Sequence, residues 1–368
     1  MNNPDNRRGR IIQATDAAIE CAATCLAGGD IVGMPTETVY GLAAAARDSV
    51  AVGKIFAVKG RPADHPVIVH LATAEEMTKW AVDIPPAAWK LAQALWPGPL
   101  TLILKRAAGV ADIVTGGQDT VGLRVPAHPV ALALLRRLGD GIAAPSANRF
   151  GRISPTMAAH VAEELGEAVA LVLDGGPCRI GIESTIVDFS HDIPGILRPG
   201  LIGAEEIARI GGIAPRQRGD GDEADLSAPP RVSGSLAAHY APRTPLCLVA
   251  GQALPTEARR LIDAGRRVAV LAHDLADPRD NLRDSRLHWQ RVPAAPDAYA
   301  HCIYASLRWL DALGVDILLV EAPPPTPAWH AIADRLGRAA AGSGQEKQEE
   351  KERSQSPDSC YNAHPSGR

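Results

Sequence analysis

The sequence predicts two α/β units of unequal size. The first is built on a mixed sheet with flanking helices, and the second, smaller unit on an open parallel sheet of Rossmann-like character. Three observations carry this. Over the first two hundred residues, short apolar runs alternate with helical patterns. Several of those runs mix apolar and polar positions, where a purely parallel, twice-covered sheet would be apolar throughout. After a break rich in Gly, Pro and charge, three apolar runs again alternate with helical stretches.

The elements follow in order. Thr15 can cap a helix that carries Ala18, Ala22, Cys25 and Leu26 on one side and stops at Gly28-Gly29. A strand is expected at 31–35, then a helix at 49–59 capped by Asp48 and ending at Lys59-Gly60. Residues 67–71 read as a strand, and Pro85-Pro86 open a helix through Leu95, since proline suits a first helical turn. Further strands are expected at 100–105, 120–125, 141–144, 168–173 and 184–189, with helices at 129–138, 156–165 and 203–210. In the second unit, strands fit 246–249, 267–272 and 315–320, and helices 255–264, 297–313 and 328–340. The resulting division is 11–210, a connecting segment 211–245, 246–340 and a charged tail 341–368 that lacks the aliphatics to order itself.

The bulk numbers bound the class. With 368 residues, 46% of them hydrophobic, the chain has room for two domains. No apolar run approaches the roughly 20 residues of a membrane span, and MNNPDNRRGR is followed by no apolar stretch of the signal-peptide kind. The cysteines Cys21, Cys25, Cys178, Cys247, Cys302 and Cys360 form no Cys-x-x-Cys pair, so a zinc ribbon is not expected and a reducing, cytoplasmic compartment is. A net charge of −4 gives no global bias toward nucleic acid.

The familiar nucleotide fingerprints are missing. There is no G-x-x-x-x-G-K-[ST], no G-x-G-x-x-G after a strand and no G-x-S-x-G. Any phosphates must be held by side chains or an unusual loop. Four stretches offer the chemistry. In 33-GMPTETVYGL-42 a strand ends in two hydroxyls flanking a carboxylate. Lys59 and Arg61 stand at a helix end before Pro62-Ala63-Asp64-His65-Pro66. They either complement the helix dipole or project as a basic pair from a rigid turn. In 142-IAAPSANRFGRISP-155 a strand end presents Ser146, Asn148, Arg149 and Arg152, which suits a ligand or a plain side-chain-stabilised turn. Thr120 and Arg124 share one strand face, and Glu183, Ser184 and Thr185 lead into another strand ahead of Arg198. Each alone fits a satisfied surface strand. Together they repeat strand ends offering hydroxyls to a small polar ligand and cations to anionic oxygens.

PTETVYGL, KGRPADHPVIVH, WPGPLTLIL, the DTVGLRVPAHP run, APSAN and the ESTIVD stretch with LRPG resemble the YrdC family in order and spacing. HYAP and the second α/β unit resemble its long, two-domain form, so the likeness covers about residues 11–340. It implies a YrdC-like twisted mixed sheet and a reaction in which L-threonine, bicarbonate and ATP, with Mg2+, give L-threonylcarbamoyladenylate and pyrophosphate. The product would feed a downstream tRNA threonylcarbamoyl transferase that modifies the adenosine beside the anticodon. By resemblance, Thr36, Thr38, His70, Arg124, Ala144 and Ser184 contact threonine, with Tyr40 walling its pocket, Glu37 fixing the loop and Arg124 suited to the α-carboxylate. Arg61, His65, Thr120, Ser146, Ser154, Arg198 and Tyr240 match ATP-contacting positions, and Lys59, Arg61, Ser146 and Asn148 carry the catalytic signatures. No protein metal ligand follows from it. The chain departs from the family at His65, where relatives often have Asn, and at Ser233-Gly234, where Pro-Gly is usual.

Two other readings were open. A basic concave face could bind RNA weakly, although aromatic residues make up only 4%. A carbamoyl-transfer unit of hydrogenase maturation would carry zinc-finger cysteines and an acylphosphatase-like domain, and the sequence offers neither. The connecting segment, ending in His239-Tyr240, reads either as a spacer or as a lid that excludes water from a labile adenylate.

Overall fold

The computed structural model describes residues 9–216, 229–275 and 284–344. The expected tail, apart from its first residues, and part of the connecting segment lie outside these. The larger unit holds a ten-stranded sheet among the described residues. Its strands are β1 (Arg10–Gln13), β2 (Val32–Met34), β3 (Gly41–Ala45), β4 (Ile68–His70), β5 (Leu100–Lys105), β6 (Thr120–Arg124), β7 (Ile142–Ala143), β8 (Leu171–Asp174), β9 (Thr185–Asp188) and β10 (Gly195–Arg198). Their order is β1-β8-β2-β3-β7-β4-β6-β5-β9-β10. β4 pairs parallel with β6, while β3 and β4 both pair antiparallel with β7, so the sheet is mixed, as the uneven polarity of the runs predicts.

Helices cover both faces. Those of the larger unit are α1 (Asp16–Ala27), α2 (Ser49–Lys59), α3 (Pro86–Leu95), α4 (Asp112–Thr115), α5 (Pro129–Leu138), α6 (Ala158–Leu165) and α7 (Ala204–Gly211). Alternation along β2 and β3 sends Val32, Met34 and Ala43 toward Leu26 of α1 and Leu134 of α5, while Leu42 and Ala44 face Val52 and Ile55 of α2. Caps fall where the sequence places them. Thr15 accepts from the Ala18 N–H, and Asp48 accepts from the N–H groups of Val50 and Ala51.

The smaller unit holds strands β11 (Leu246–Val249), β12 (Val268–Ala272), β13 (Leu287–Arg291) and β14 (Ile317–Glu321), all parallel in the order β11-β14-β12-β13. Its helices are α8 (Leu254–Asp263), α9 (Pro296–Ala312) and α10 (His330–Gly342). Three strands were expected here and four are present: β13, Leu-His-Trp-Gln-Arg, is too polar to read as a core strand, yet it pairs with β12 along its whole length. In the larger unit β1, β3 and β10 were likewise not anticipated. β3 is mostly alanine and glycine, poor strand formers, and becomes a strand because it is wedged between β2 and β7.

The two units share a core. Val39, Ile153, Ile180, Ile182 and Tyr240 pack with Tyr299, Tyr304 and Leu307 of α9 and Ile332 and Leu336 of α10. Gly181 is required at this seam: its φ is +87°, and a Cβ there would lie 2.4 Å from the Ala300 carbonyl.

Candidate active site

The segment after β2 is Pro35-Thr36-Glu37-Thr38. The Thr36 hydroxyl organises it, donating to the Val39 carbonyl at 2.6 Å and accepting from the N–H groups of Thr38 and Val39, both at 3.2 Å. Its single proton is thereby used, so the 2.9 Å contact between the two threonine hydroxyls is donated by Thr38. Thr38 in turn accepts from Arg124 Nη1 at 2.9 Å. Arg124 Nη2 donates to Glu37 Oε1, and its Nε donates to the Gly98 carbonyl at 3.1 Å. The carboxylate between two hydroxyls is therefore the anchor of a buried guanidinium, which still keeps one further N–H on each terminal nitrogen.

Around this corner the structure gathers residues from distant strands. His70 pairs with Arg124 across β4 and β6 and with Ile142 across β4 and β7, and Ala144 directly follows β7, so the three come to the same place. Thr36, Thr38, His70, Arg124, Ala144 and Ser184, the six positions expected to meet threonine, all line one cavity. Ser146, Arg198 and Tyr240, from the expected ATP set, line it too, together with Glu183, Ser233 and His239. Tyr40 does not. Its hydroxyl donates to the Gly176 carbonyl at 2.8 Å and accepts from the Gly175 N–H at 3.2 Å, so it supports the segment from behind and does not wall the pocket.

The other expected positions lie outside this lining. Lys59 is buried, and its ammonium donates to the carbonyls of Ser146, at 2.6 Å, and Asn148. It ties the 146–148 loop to α2. Burial, then the charge of Arg61, holds its pKa well below the ordinary lysine value. Asn148 donates to the carbonyls of Arg149 and Arg152, at 2.7 and 2.9 Å, while its own Oδ1 is buried without a partner. Arg61 donates to the Pro66 carbonyl at 2.7 Å and lies over the Phe150 ring, with its pKa lowered to about 10 by burial. His65 meets the edge of that ring at 5.3 Å, and Phe150 leads on to His239 at 6.0 Å. Ser154 donates to Glu183 Oε1 at 2.6 Å, one step behind the lining. Thr120 is apart from the group, in an open basin with Lys105, Gln118 and His191.

Electrostatically the site is cationic. Arg124 and Arg198 line it, Lys59 and Arg61 stand near enough to act on His239, and its histidines are neutral. Burial, and then Arg124, pushes His70 down to about 3. Burial does the same to His239, which also reaches about 3 against the opposing pull of Glu183. Several polar atoms of lining residues are buried and make no hydrogen bond, namely His70 Nδ1, His239 Nδ1 and the Tyr240 hydroxyl, as is Glu37 Oε2 behind Arg124. Unpaired buried polar atoms are costly in a finished interior and ordinary in a site that awaits a polar ligand.

The connecting segment packs against this site. Arg231 donates to the Gly116 carbonyl and its N–H to Gln118, while Val232 packs on Ile103 and Ile186. Arg198 Nη1 donates to the Ser233 carbonyl at 2.8 Å. The cavity left beneath has about 30 Å³ of free volume, room for a water or two. Sequence reasoning singled out the Glu183 stretch without giving Glu183 a contact, and it missed His239 and Ser233 as lining residues. His239 stood beside Tyr240 and was within reach, whereas Ser233 contributes only a backbone carbonyl and carries no sequence signal.

Comparison with known proteins bears on this arrangement. A family model, Sua5/YciO/YrdC, described as "Telomere recombination", matches residues 24–200. A second, described as "Threonylcarbamoyl-AMP synthase, C-terminal domain", matches residues 202–341. The chain is 39% identical over 336 residues to the threonylcarbamoyl-AMP synthase of Bacillus subtilis, covering 90% of this chain and 95% of that one. It is 38% identical over 331 residues to the synthase of Pyrococcus abyssi, covering 88% and 94%. The crystal structure of P. abyssi Sua5 complexed with L-threonine superposes with a TM-score of 0.80 at 35% identity, over 90% of this chain and 97% of that one.

Proposed function

The chain belongs to the Sua5/YciO/YrdC family in its two-domain form, and from that membership we infer that it is a threonylcarbamoyl-AMP synthase. It joins L-threonine, bicarbonate and ATP into L-threonylcarbamoyladenylate and releases pyrophosphate, the step that supplies threonylcarbamoyladenosine in tRNA. The observation that carries the reading onto these side chains is the convergence of Thr36, Thr38, His70, Arg124, Ala144 and Ser184 on one cavity. Its unpaired buried acceptors and donors suit a small zwitterion bearing a hydroxyl. That P. abyssi Sua5 has been captured with L-threonine supports the same assignment.

In this reading the carbamate carboxylate of N-carboxythreonine attacks the α-phosphorus of ATP, the bond to the bridging oxygen breaks, and pyrophosphate leaves. No enzyme nucleophile is needed. The protein contributes position and charge. Arg198, on the cavity wall, and Arg61, outside the lining, are the cations assigned to the phosphates, and Lys59 holds the loop through the Ser146 and Asn148 carbonyls. Magnesium comes with the triphosphate and neutralises its charge. Among the described residues no group of three or more His, Cys, Asp or Glu side chains stands together, so the phosphates and a hydroxyl such as Ser146 would be its ligands. In this reading the adenylate then passes to a tRNA threonylcarbamoyl transferase, and the enzyme works in the cytoplasm.

The closed cavity is too small for these substrates, since ligand pockets run to roughly 300 Å³ or more. The segment 231–242 therefore acts as a lid that opens to admit them and closes to exclude water from the adenylate.

The test is pyrophosphate release from ATP by the purified full chain with magnesium and bicarbonate, offering threonine, serine or valine. Release that requires both threonine and bicarbonate is expected. Release with none of the amino acids, or with valine as readily as threonine, would reject the reading.

A further inference from the structure

Glu183 lines the cavity, yet its carboxylate is held mostly from the other domain. Oε1 accepts from Ser154 at 2.6 Å, and Oε2 accepts from the Tyr304 hydroxyl at 3.0 Å and from Arg335 Nε at 2.8 Å. Tyr304 belongs to α9 and Arg335 to α10, and Arg335 is fully buried. The same two side chains also hold the covering segment. Tyr304 stacks on Tyr240 with ring centroids 5.7 Å apart, and the Arg335 guanidinium lies 5.3 Å over the Tyr240 ring. Arg335 is itself aimed by Asp334, which accepts from its Nη1 at 2.6 Å and also from Arg338 Nε at 2.9 Å. Arg338 in turn donates to the Leu236 carbonyl of the same covering segment.

We propose that Arg335 and Tyr304 of the second domain are positioning residues for the reaction: they fix Glu183, and through it the cavity wall at Ser184, while seating Tyr240 on top. The inference rests on the function proposed above. A merely stabilising role fits the chemistry poorly. Against an apolar pair of similar shape a buried ion pair contributes little net stability, because desolvation offsets most of its attraction, and what distinguishes this one is the geometry it holds. Here that geometry is transmitted directly. Ser184 follows Glu183 in the chain, and its hydroxyl is shared with Thr101 at 2.8 Å and accepts from Arg198 Nη2 at 3.0 Å. A Glu183 free to turn would carry this junction with it. Burial by itself would raise the Glu183 pKa, but Arg335, Arg198 and the Ser154 hydrogen bond outweigh it and hold it down at about 2, so the group stays ionised. The second domain thus completes the site without touching substrate.

The experiment compares the full-length wild type with Tyr304→Phe, Arg335→Lys, Arg335→Gln and Glu183→Gln. It measures KM for ATP and for L-threonine, kcat and melting temperature. Tyr304→Phe removes one hydroxyl and keeps the ring, so it should fold. It is expected to raise both KM values together by about threefold to tenfold. Arg335→Lys should retain more activity than Arg335→Gln, because it keeps the charge facing Glu183. In the Glu183→Gln background, Tyr304→Phe should cost little more, as expected of groups acting through one another. The proposal is overturned by variants that melt earlier while both KM values stay at the wild-type level, or by effects that simply add in the double variant. If the wild type releases no pyrophosphate, the function reading has failed. Direct titration of ATP and of L-threonine onto the same variants then still decides the positioning role.

Discussion

Two hydroxyls around a carboxylate, at Thr36-Glu37-Thr38, do different work from one another. Thr36 spends its hydroxyl on the backbone of its own turn, whereas Thr38 spends its hydroxyl on Thr36 and Arg124. Thr36→Val should therefore cost about 1–3 kcal/mol of stability, by leaving the Val39 carbonyl and two N–H groups unpaired, and should weaken threonine binding as well. Thr36→Ser keeps the oxygen and should behave nearly as wild type. Thermal melting and threonine titration check both, and a Thr36→Val protein of unchanged stability would reject the assigned role. Residue identity made this corner legible from the sequence, since hydroxyls and a carboxylate at a strand end are a polar constellation wherever they occur. It did not say which hydroxyl faces the ligand, because that depends on where one proton goes. Tyr40 shows the same limit: its position near the pocket was readable and the direction of its ring was not.

At the scale of elements the segment 229–245, which has no regular secondary structure, lies over the site. Its hold on the site depends on close backbone approach. Gly234 has a φ of +80°, and a Cβ there would lie 2.1 Å from the Tyr240 hydroxyl and 3.3 Å from Arg198 Nη1. Tyr240 itself sits at a φ of +61°, strained for a bulky side chain. Gly234→Ala should push the cover off its seat, with backbone strain alone costing about 1–2 kcal/mol. On that basis KM for ATP should rise by about tenfold. Steady-state kinetics would show it, and wild-type KM would argue that the cover is a passive spacer. At this scale helices and long strands were readable from caps and periodicity, while β3, β10 and β13 were not. β3 is mostly alanine and glycine, β10 has only two apolar positions, and β13 is broken by polar residues, so pairing with neighbouring strands, not local preference, makes them strands.

Across the whole molecule, the domains are joined by a shared core and by hydrogen bonds at several points: Arg308 donates to Glu164 at 2.6 Å, and His301 approaches the Arg179 carbonyl at 3.0 Å. Burial also sets an acid limit on the whole fold. His160, on α6, is pushed down to about 4 by burial and then by Arg308, as His70 and His239 are pushed to about 3. Each of these is neutral when folded but takes a proton near 6.5 when unfolded, so the unfolded state binds more protons in that window. Stability is full above about pH 6.5 and is lost as pH falls toward 4, by at most about 1.4 kcal/mol per pH unit for each group. A His160→Gln variant, whose amide oxygen can still accept from the Thr156 N–H, should lose melting temperature less steeply over that range; an unchanged slope would reject the assignment. By itself the sequence determined the two-unit α/β architecture, the caps and the mixed character of the large sheet, and it offered hydroxyls and cations at the strand ends. These depend on local pattern and on residue chemistry, and both are written along the chain. Only the tertiary structure decided that Glu183 is held by Arg335 and Tyr304, 152 and 121 residues away, and that a segment without periodicity covers the site. Contacts made at such separation, and by backbone carbonyls, leave no periodic signal for the sequence to carry.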